Sequence, residues 1–234
     1  MASIIPDQKL FIVTSALNAT LGNITHEERL EQTIQGLKKL RESVPDCIVL
    51  FVDGSPQKIE KEKILEISNL VDFVADFSTD EIVNRFAKQK KKSEAECALL
   101  IKTLLLLKQE PSMMRVLHSV NRIFKISART DLLEDFNVYE HDRWGKYVFK
   151  KRIPTWISDS RNEFATDLLI TRMFSFCPSL YDTYLNVIQK NFTVLDSLDT
   201  EHAHFLNIPK EHLVEFDTLH CWGRIAGTGQ IEHY

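Results

Sequence analysis

Apolar positions follow two different spacings in the first part of the chain. Residues 9–16 (KLFIVTSA) and 47–52 (CIVLFV) are continuous apolar runs, which are typical of strands buried on both faces of a sheet. Between them, residues 30–40 carry leucine and isoleucine at helical spacing, and residues 25–28 (THEE) have the form of a capping box that begins a helix. Two buried strands joined by an amphipathic helix predict a βαβ unit in a parallel sheet.

The rest of the chain continues this pattern and then becomes less regular. After the βαβ unit the spacing predicts a charged helix at 57–68, a short strand at 71–77, a helix at 79–92, a buried helix at 94–108, a connection at 111–120 and a strand beginning at 122. The second part predicts an irregular or edge segment at 147–157 containing Pro154, a strand or helix at 168–176, helices at 180–192 and from 198, and a closing hairpin at 219–234. The fold class is therefore α/β.

The segment at 122–136 (RIFKISARTDLLEDF) begins as an apolar strand and then turns polar. It places Lys125, Arg129 and Asp131 at the carboxyl end of a strand, which is where α/β proteins usually bind ligands. Two cations and a carboxylate suit a ligand that carries phosphates. The alternative is a strand that leaves the core into a solvated loop with incidental ion pairs.

Polar residues also end the first two predicted strands. Thr14 and Ser15 close the first strand, and Asp53 closes the second at the same edge of the sheet. A carboxylate at this position commonly binds ribose hydroxyls or a base edge. Asp53-Gly-Ser-Pro56 is equally good turn chemistry, so a structural role for Asp53 is the alternative. The lysines at 88 and 90–92 indicate a solvated helix end, with phosphate binding as the less favoured interpretation.

Composition excludes several classes of protein. The net charge of −4 argues against a nucleic-acid partner, and the four scattered cysteines indicate reduced thiols rather than zinc ligands. The apolar run at 98–107 is too short to span a membrane, and the first residues lack the apolar core of a signal peptide, so we expect a cytoplasmic protein. GxGxxG and GxxxxGK[ST] are missing and only seven glycines occur. Side chains must therefore neutralise any phosphate.

Five segments carry a resemblance to a known family: FIVTSALN at 11–18, EERLEQTI at 27–34, CIVLFVDGS at 47–55, FKISARTDL at 124–132 and WGRIAGTGQIE at 222–232. Together they resemble GT-A-type glycosyltransferases, in particular small sugar transferases of bacterial surface-polysaccharide clusters and of large DNA viruses. The resemblance implies a Rossmann-like, mixed but mostly parallel sheet flanked by helices. It also implies a single domain at 1–234, with a nucleotide-sugar half at 1–136 and an acceptor half at 137–234. A viral member would work in the host cytoplasm.

The resemblance implies roles for the polar residues at the strand ends. Thr14, Ser15 and Asn18 would line the nucleotide pocket, and Asp53 would hold the base or ribose. Lys125, Arg129 and Asp131 occupy the place of the family's Asp-x-Asp metal motif, of which Arg129-Thr-Asp131 keeps only one carboxylate. A bound manganese or magnesium is therefore left open. Lys125 and Arg129 could replace the metal, or Asp131 could share one metal with the nucleotide.

Glu201 is the residue that the resemblance implies as a catalytic base, because inverting members place an acid at the start of a helix in the acceptor half. Its structural alternative is a carboxylate that stabilises the helix dipole. The implied reaction is sugar transfer (EC 2.4) from a nucleoside diphosphate donor to a glycan hydroxyl, with inversion. The alternatives are a non-catalytic nucleotide- or glycan-binding protein and a sugar-phosphate nucleotidyltransferase. The oligomeric state is not predicted.

Overall fold

The computed structural model describes residues 7–20, 22, 24–155, 165–224 and 230–234. The strands are β1 (Gln8–Ser15), β2 (Ile48–Asp53), β3 (Phe73–Asp76), β4 (Val120–Ser127), β5 (Thr130–Leu132), β6 (Tyr147–Lys150), β7 (Ile153–Pro154), β8 (Asp167–Leu168), β9 (Met173–Phe176), β10 (Leu213–Phe216), β11 (Cys221–Arg224) and β12 (Ile231–His233). The α-helices are α1 (His26–Ser43), α2 (Lys61–Ser68), α3 (Glu81–Lys88), α4 (Lys92–Gln109), α5 (Pro111–Ser119), α6 (Tyr181–Phe192) and α7 (Thr200–Asn207).

A seven-stranded sheet with the order β10-β6-β9-β4-β1-β2-β3 forms the centre of the molecule. Strands β4, β1, β2 and β3 run parallel to one another, and β6 is parallel to β10. Strand β9 lies between these two groups and is antiparallel to both β4 and β6. The sheet is therefore mixed but mostly parallel, which confirms the predicted fold class.

Helices cover both faces of the sheet, because successive side chains of each strand point to opposite faces. In β1, Leu10 and Ile12 pack with residues of α4 and α6, whereas Phe11 and Val13 pack with residues of α1 and α2. Both faces are apolar, so the strands read as continuous apolar runs in the sequence. This double coverage explains why β1, β2 and β4 are recognisable from sequence alone.

The capping box predicted at the start of α1 is present. The Thr25 hydroxyl accepts a hydrogen bond from the Glu28 backbone N–H at 3.1 Å, and the Glu28 carboxylate accepts one from the Thr25 N–H at 2.8 Å. Within α1, Gly36 lies directly against the chain after β4. A Cβ at this position would stand 2.9 Å from the Ala128 carbonyl oxygen, so glycine allows the helix to approach this loop closely.

Two predictions for the less regular parts of the chain were wrong. The segment predicted as irregular or edge contains β6, which lies inside the sheet between β9 and β10, and whose first three residues are fully buried. Strand β6 is only four residues long, and Pro154, which suggested an edge position, lies in β7 of a separate two-stranded sheet. The predicted connection at 111–120 is helix α5, which Pro111 begins at a position where its missing N–H costs nothing. The segment at 168–176, left open between strand and helix, contains β9.

The predicted closing hairpin is present as β11 and β12, which pair antiparallel with Trp222 opposite His233. Strand β11 also pairs with β5, so the end of the chain packs beside the loop that follows β4. The predicted turn glycines Gly227 and Gly229 lie outside the described residues, as do residues 156 and 157. The predicted boundary between a nucleotide-sugar half and an acceptor half lies at residue 136, and β4 and β9, which come from the two sides of this boundary, pair in one sheet. The division into halves stays a prediction.

Candidate functional site

A cavity of about 540 Å³ opens at the carboxyl ends of β1, β2 and β4. This volume is within the range of about 300–1,000 Å³ that is usual for small-molecule sites. Five groups of residues form the wall. They are the end of β1 and its loop (14–16, 19, 20 and 22), the first turns of α1 (29 and 33), the turn after β2 (54 and 56), the segment from the end of α3 into α4 (87, 90–92, 95, 96 and 99), and the residues around the β4 end (127–129 and 172).

Positive charge dominates the described wall of this cavity. Its cationic side chains are Arg29, Lys90, Lys91, Lys92, Arg129 and Arg172. Glu96 is the one carboxylate on that wall, and its neighbour Lys125 already balances it at 2.6 Å. A cleft lined by one sign of charge concentrates ligands of the opposite sign. The cavity therefore suits an anion with several charges.

Arg129 extends from the turn between β4 and β5. That turn is anchored to both neighbouring strands, since the Ala128 N–H donates to the Thr14 carbonyl and the Ser127 N–H donates to the Arg172 carbonyl, each at 2.9 Å. The Nη1 atom of Arg129 is buried and has no hydrogen-bond partner among the described residues. Burial lowers the pKa of Arg129 to about 10, and Arg29 and Arg172 contribute in the same direction. The guanidinium is thus still charged at neutral pH and has donor capacity to spare.

The end of the chain holds Arg172 in place. The Nε atom of Arg172 donates to the Tyr234 hydroxyl at 3.0 Å, and its guanidinium lies over the Tyr234 ring at 5.2 Å. Gly223 of β11 makes room for this side chain, because a Cβ at that position would stand only 2.7 Å from Arg172 Nη1 and 3.1 Å from the Arg129 carbonyl oxygen. The β11–β12 hairpin and Tyr234 therefore pack against Arg172 and the Arg129 backbone at the cavity wall.

The lysine loop between α3 and α4 has an unusual backbone. Lys90 has φ of 61°, in the left-handed region that residues other than glycine seldom occupy. Backbone hydrogen bonds from Lys90 to Ala87 and from Lys91 to Phe86 hold this conformation. Strained positions of this kind are concentrated at functional sites. Lysines 90–92 line the cavity with exposed side chains, and Lys91 also pairs with Glu94 at 3.1 Å, so the solvated helix end and phosphate binding both stay open as interpretations of this run.

The predicted nucleotide residues at the first two strand ends separate into two groups. Thr14 and Ser15 line the cavity. Asp53 lies behind them, fully buried, where its carboxylate accepts hydrogen bonds from the Leu17 and Ser55 N–H groups at 2.9 and 2.8 Å. Burial raises the pKa of Asp53, although these hydrogen bonds oppose the shift. Asp53 ties together the loops after β1 and β2, as its turn interpretation anticipates.

Asn18 belongs to the same buried connection. Its backbone N–H donates to the Ser55 hydroxyl at 2.9 Å, and its side-chain amide donates to the Lys58 carbonyl at 3.1 Å. Asn18 is not among the described residues that line the cavity. It therefore supports the loop that carries the cavity wall.

The structure separates the three candidate binding residues Lys125, Arg129 and Asp131. Arg129 lines the cavity, but Lys125 points to the opposite face of the sheet from Phe124 and Ile126, and is only 2% exposed. The ammonium group of Lys125 contacts the Glu96 carboxylate and the Thr171 carbonyl at 2.6 and 2.8 Å. Asp131 lies under α1, where its Oδ2 atom accepts from Gln35 and Lys39 at 2.9 and 3.0 Å.

Glu201 occupies the first turn of α7, as predicted, behind the wall of the cavity. Its Oε1 atom accepts a hydrogen bond from the Thr171 hydroxyl at 2.8 Å. Burial raises the pKa of Glu201, and the nearby carboxylates of Glu96 and Asp199 add to the shift. Thr171 and Lys125 thus connect Glu201 to Glu96, which does line the cavity.

Three charged residues of the cavity wall were not predicted from the sequence: Arg29, Glu96 and Arg172. The sequence could have indicated that Arg29 lies near the strand ends, because Arg29 follows the capping box that comes directly after the polar end of β1. Burial alone would raise the pKa of Glu96, but the Lys125 and Lys92 ammonium groups outweigh burial and hold that pKa below its usual value. Glu96 is therefore ionised at neutral pH.

In the part of the chain that the structure describes, no group of three or more His, Cys, Asp or Glu side chains is arranged to hold a metal ion. None of the described helices combines the length and the apolar character that crossing a bilayer demands.

Comparison with solved structures identifies the fold of this chain. No family profile matches the sequence, and no curated protein sequence matches it. Among solved structures, core-mannan synthase A from Aspergillus fumigatus, in its Mn/GDP form, matches 93% of this chain and 74% of its own with a TM-score of 0.51 at 10% identity. The mannosyltransferase Ktr4p from S. cerevisiae, also solved with GDP, matches 90% of this chain and 69% of its own with a TM-score of 0.50 at 11% identity. The chain has the GT-A fold that these enzymes share.

Proposed function

We propose that this protein is a glycosyltransferase that moves a sugar from a nucleoside diphosphate donor to a hydroxyl group of a glycan acceptor. The cationic cavity at the carboxyl ends of β1, β2 and β4 is the observation that carries the proposal. This edge of an open α/β sheet is where such folds bind their ligands. The structural neighbours solved with GDP support a nucleotide ligand at this fold.

The donor's nucleoside would lie against the ends of β1 and β2. Thr14 and Ser15 offer hydroxyl groups there, and Gly54 lies beside them on the wall. Gly54 has little room for a side chain, since a Cβ would stand 3.2 Å from Leu99 and 3.3 Å from Val83. The diphosphate would lie deeper along the wall, beside the arginines.

Departure of the nucleoside diphosphate is the step that the cavity would accelerate. Negative charge grows on the leaving phosphate as the glycosidic bond breaks, and fixed positive groups stabilise that charge. Arginines at 29, 129 and 172 and the lysines at 90–92 are positioned to provide this stabilisation. The arginines are buried or half-buried in the folded wall, so they need little rearrangement during the reaction, whereas the lysines are exposed.

The acceptor hydroxyl must lose a proton as it attacks the sugar, which requires a base within hydrogen-bond reach. Glu96 is the described carboxylate on the cavity wall, and it is ionised at neutral pH. We assign the proton transfer to Glu96 and a positioning role to Glu201, which acts on it through Thr171 and Lys125. A single displacement with one base inverts the configuration of the sugar.

A thermal-shift panel of UDP-, GDP-, dTDP- and CMP-sugars, each with manganese and with EDTA, tests this function. A ligand that binds only the folded protein raises its melting temperature. We expect one class of nucleotide sugar to do so, and to release its nucleoside diphosphate when a glycan acceptor is added. Lack of any shift from every donor would refute the proposal. A shift without turnover on any acceptor would favour the alternative of a non-catalytic binding protein.

A further inference from the structure

The GT-A neighbour from Aspergillus was solved with manganese and GDP, which raises the question of whether this chain's residues suit a metal. Divalent cations such as magnesium are bound through carboxylates and phosphate oxygens. Of the carboxylates at the strand ends, Asp53 accepts from two backbone N–H groups and Asp131 accepts from Gln35 and Lys39. Glu96 is bridged to Lys125. These residues do not fit a metal ion beside the cavity.

We infer that the three arginines of the wall, Arg29, Arg129 and Arg172, bind the donor's pyrophosphate directly and replace the divalent metal. This inference rests on the proposed function and specifies its chemistry. A guanidinium group is planar and presents paired N–H donors that match phosphate oxygens. Three such groups carry one more positive charge than a divalent metal ion.

Arg129 provides the most direct support. Its Nη1 atom is buried beside the cavity without a hydrogen-bond partner among the described residues. A buried charged donor without an acceptor is costly, and most such donors in folded proteins are paired. A phosphate oxygen in the cavity would provide the missing acceptor. The structure thus places an unsatisfied guanidinium N–H donor beside the cavity, where the pyrophosphate would lie.

The other two arginines are fixed in place by the fold. Arg172 is held by the Tyr234 hydroxyl and ring, and Gly223 leaves the space that its guanidinium fills. Arg29 belongs to the first turns of α1, where its N–H donates to the Thr25 carbonyl at 3.0 Å. Both cations lower the pKa of Arg129, as expected for like charges held close together. A dianionic group between them would relieve this repulsion.

Calorimetric titration of inorganic pyrophosphate, UDP and GDP into the full chain in EDTA tests the inference. We expect pyrophosphate and at least one nucleotide to bind in EDTA. Arg129→Gln should weaken binding at least 10-fold, and Arg129→Lys, which keeps the charge but loses the paired donors, should weaken it several-fold. Lys108→Gln removes an exposed lysine on the outer side of α4 and should leave binding unchanged.

The outcomes separate this inference from the proposed function. Binding of a nucleotide only when manganese or magnesium is present would overturn the arginine site but leave a metal-dependent glycosyltransferase standing. Equal affinity of Arg129→Gln and the unmodified chain would also overturn it. Failure of pyrophosphate, UDP and GDP to bind, with EDTA and with manganese, would overturn the arginine site, and failure of every donor in the thermal-shift panel as well would overturn both. If Arg129→Gln does not fold, the comparison of Arg129→Lys with Lys108→Gln decides the inference.

Discussion

The Lys125 ammonium group lies 2.6 Å from the Glu96 carboxylate, although the two residues are 29 positions apart in the chain. Lys125 is in the middle of the sheet and is almost completely buried, whereas Glu96 belongs to α4 and retains 24% of its side-chain exposure at the cavity. The pair therefore connects the interior of the sheet to the wall of the candidate site. It fixes the position of the one described carboxylate that lines the cavity.

Removing Lys125 should destabilise the protein. Lys125→Met leaves the Glu96 carboxylate without its partner, and breaking a buried pair in this way costs about 3 kcal/mol of unfolding free energy. Urea denaturation at pH 7 measures this loss. The double variant Lys125→Met/Glu96→Gln should recover part of it, because the uncompensated charge is gone. Strictly additive losses would show that the pair is not coupled.

The two glutamates should differ in their effect on turnover. Glu96→Gln should lower kcat at least 100-fold with little change in donor affinity, because general bases typically contribute about 10²–10⁴-fold. Glu201→Gln should lower kcat about 10-fold and shift the pH profile of kcat, since it acts on Glu96 through Thr171 and Lys125. Steady-state kinetics with a fixed acceptor measures both variants. The reverse order of effects would return the role of base to Glu201.

Adding one methyl group at Gly223 should weaken donor binding. The new Cβ of Gly223→Ala would stand 2.7 Å from Arg172 Nη1, so the guanidinium must leave its place beside the cavity. We expect about a 10-fold loss of affinity, equivalent to about 1.4 kcal/mol. Titration calorimetry with the donor measures it. Gly145→Ala is not a matched control because Gly145 has positive φ, whereas Trp144→Ala, on an exposed side chain, should leave affinity unchanged.

Stability should fall as the pH is lowered through the range in which histidines titrate. Burial lowers the pKa of His204 from 6.5 to about 4, despite its hydrogen bond to the Thr200 carbonyl. Between these values the unfolded chain binds a proton that the folded chain does not, so the stabilisation present above pH 6.5 is lost as the pH falls towards 4. His204 contributes about 3 kcal/mol to this loss.

Urea denaturation of the unmodified chain and of His204→Gln at pH 7.0, 5.5 and 4.5 isolates this contribution. The variant should be less stable at pH 7, because it loses the contacts of His204 with Tyr184 and Thr200. The difference between the two proteins should shrink as the pH falls. His141, whose pKa burial and Arg122 lower to about 3, remains in both proteins and cancels in the comparison. A difference that is independent of pH would contradict the shift.

The central strands were predictable because each is a continuous apolar run within a short stretch of sequence. Strands β1, β2 and β4 are buried on both faces, and the capping box of α1 is formed by neighbouring residues. Strand β6 has the same double burial but follows a segment with no clear period, and its neighbours in the sheet come from far along the chain. Its interior position depends on pairing with β9 and β10, and the local sequence pattern does not indicate that pairing.

The site was predictable only in part for a similar reason. Arg129 follows a strand end directly, so position alone suggested its role. Lys125 has the right charge at nearly the same place, but the alternation of the strand turns it to the face where Glu96 lies. Arg172 reaches the cavity because Gly223 and Tyr234, at the end of the chain, make room for it and hold it. Such contacts depend on the tertiary fold.

A crystal structure of the protein with UDP or GDP, whichever nucleotide gives the larger thermal shift, tests the central claim most directly. We expect the diphosphate in the cavity, with a phosphate oxygen at a hydrogen-bond distance of about 2.7–3.2 Å from Arg129 Nη1. The nucleoside should lie beside Thr14 and Ser15. A nucleotide bound at another surface, or an empty cavity at a saturating concentration of the nucleotide, would contradict the account.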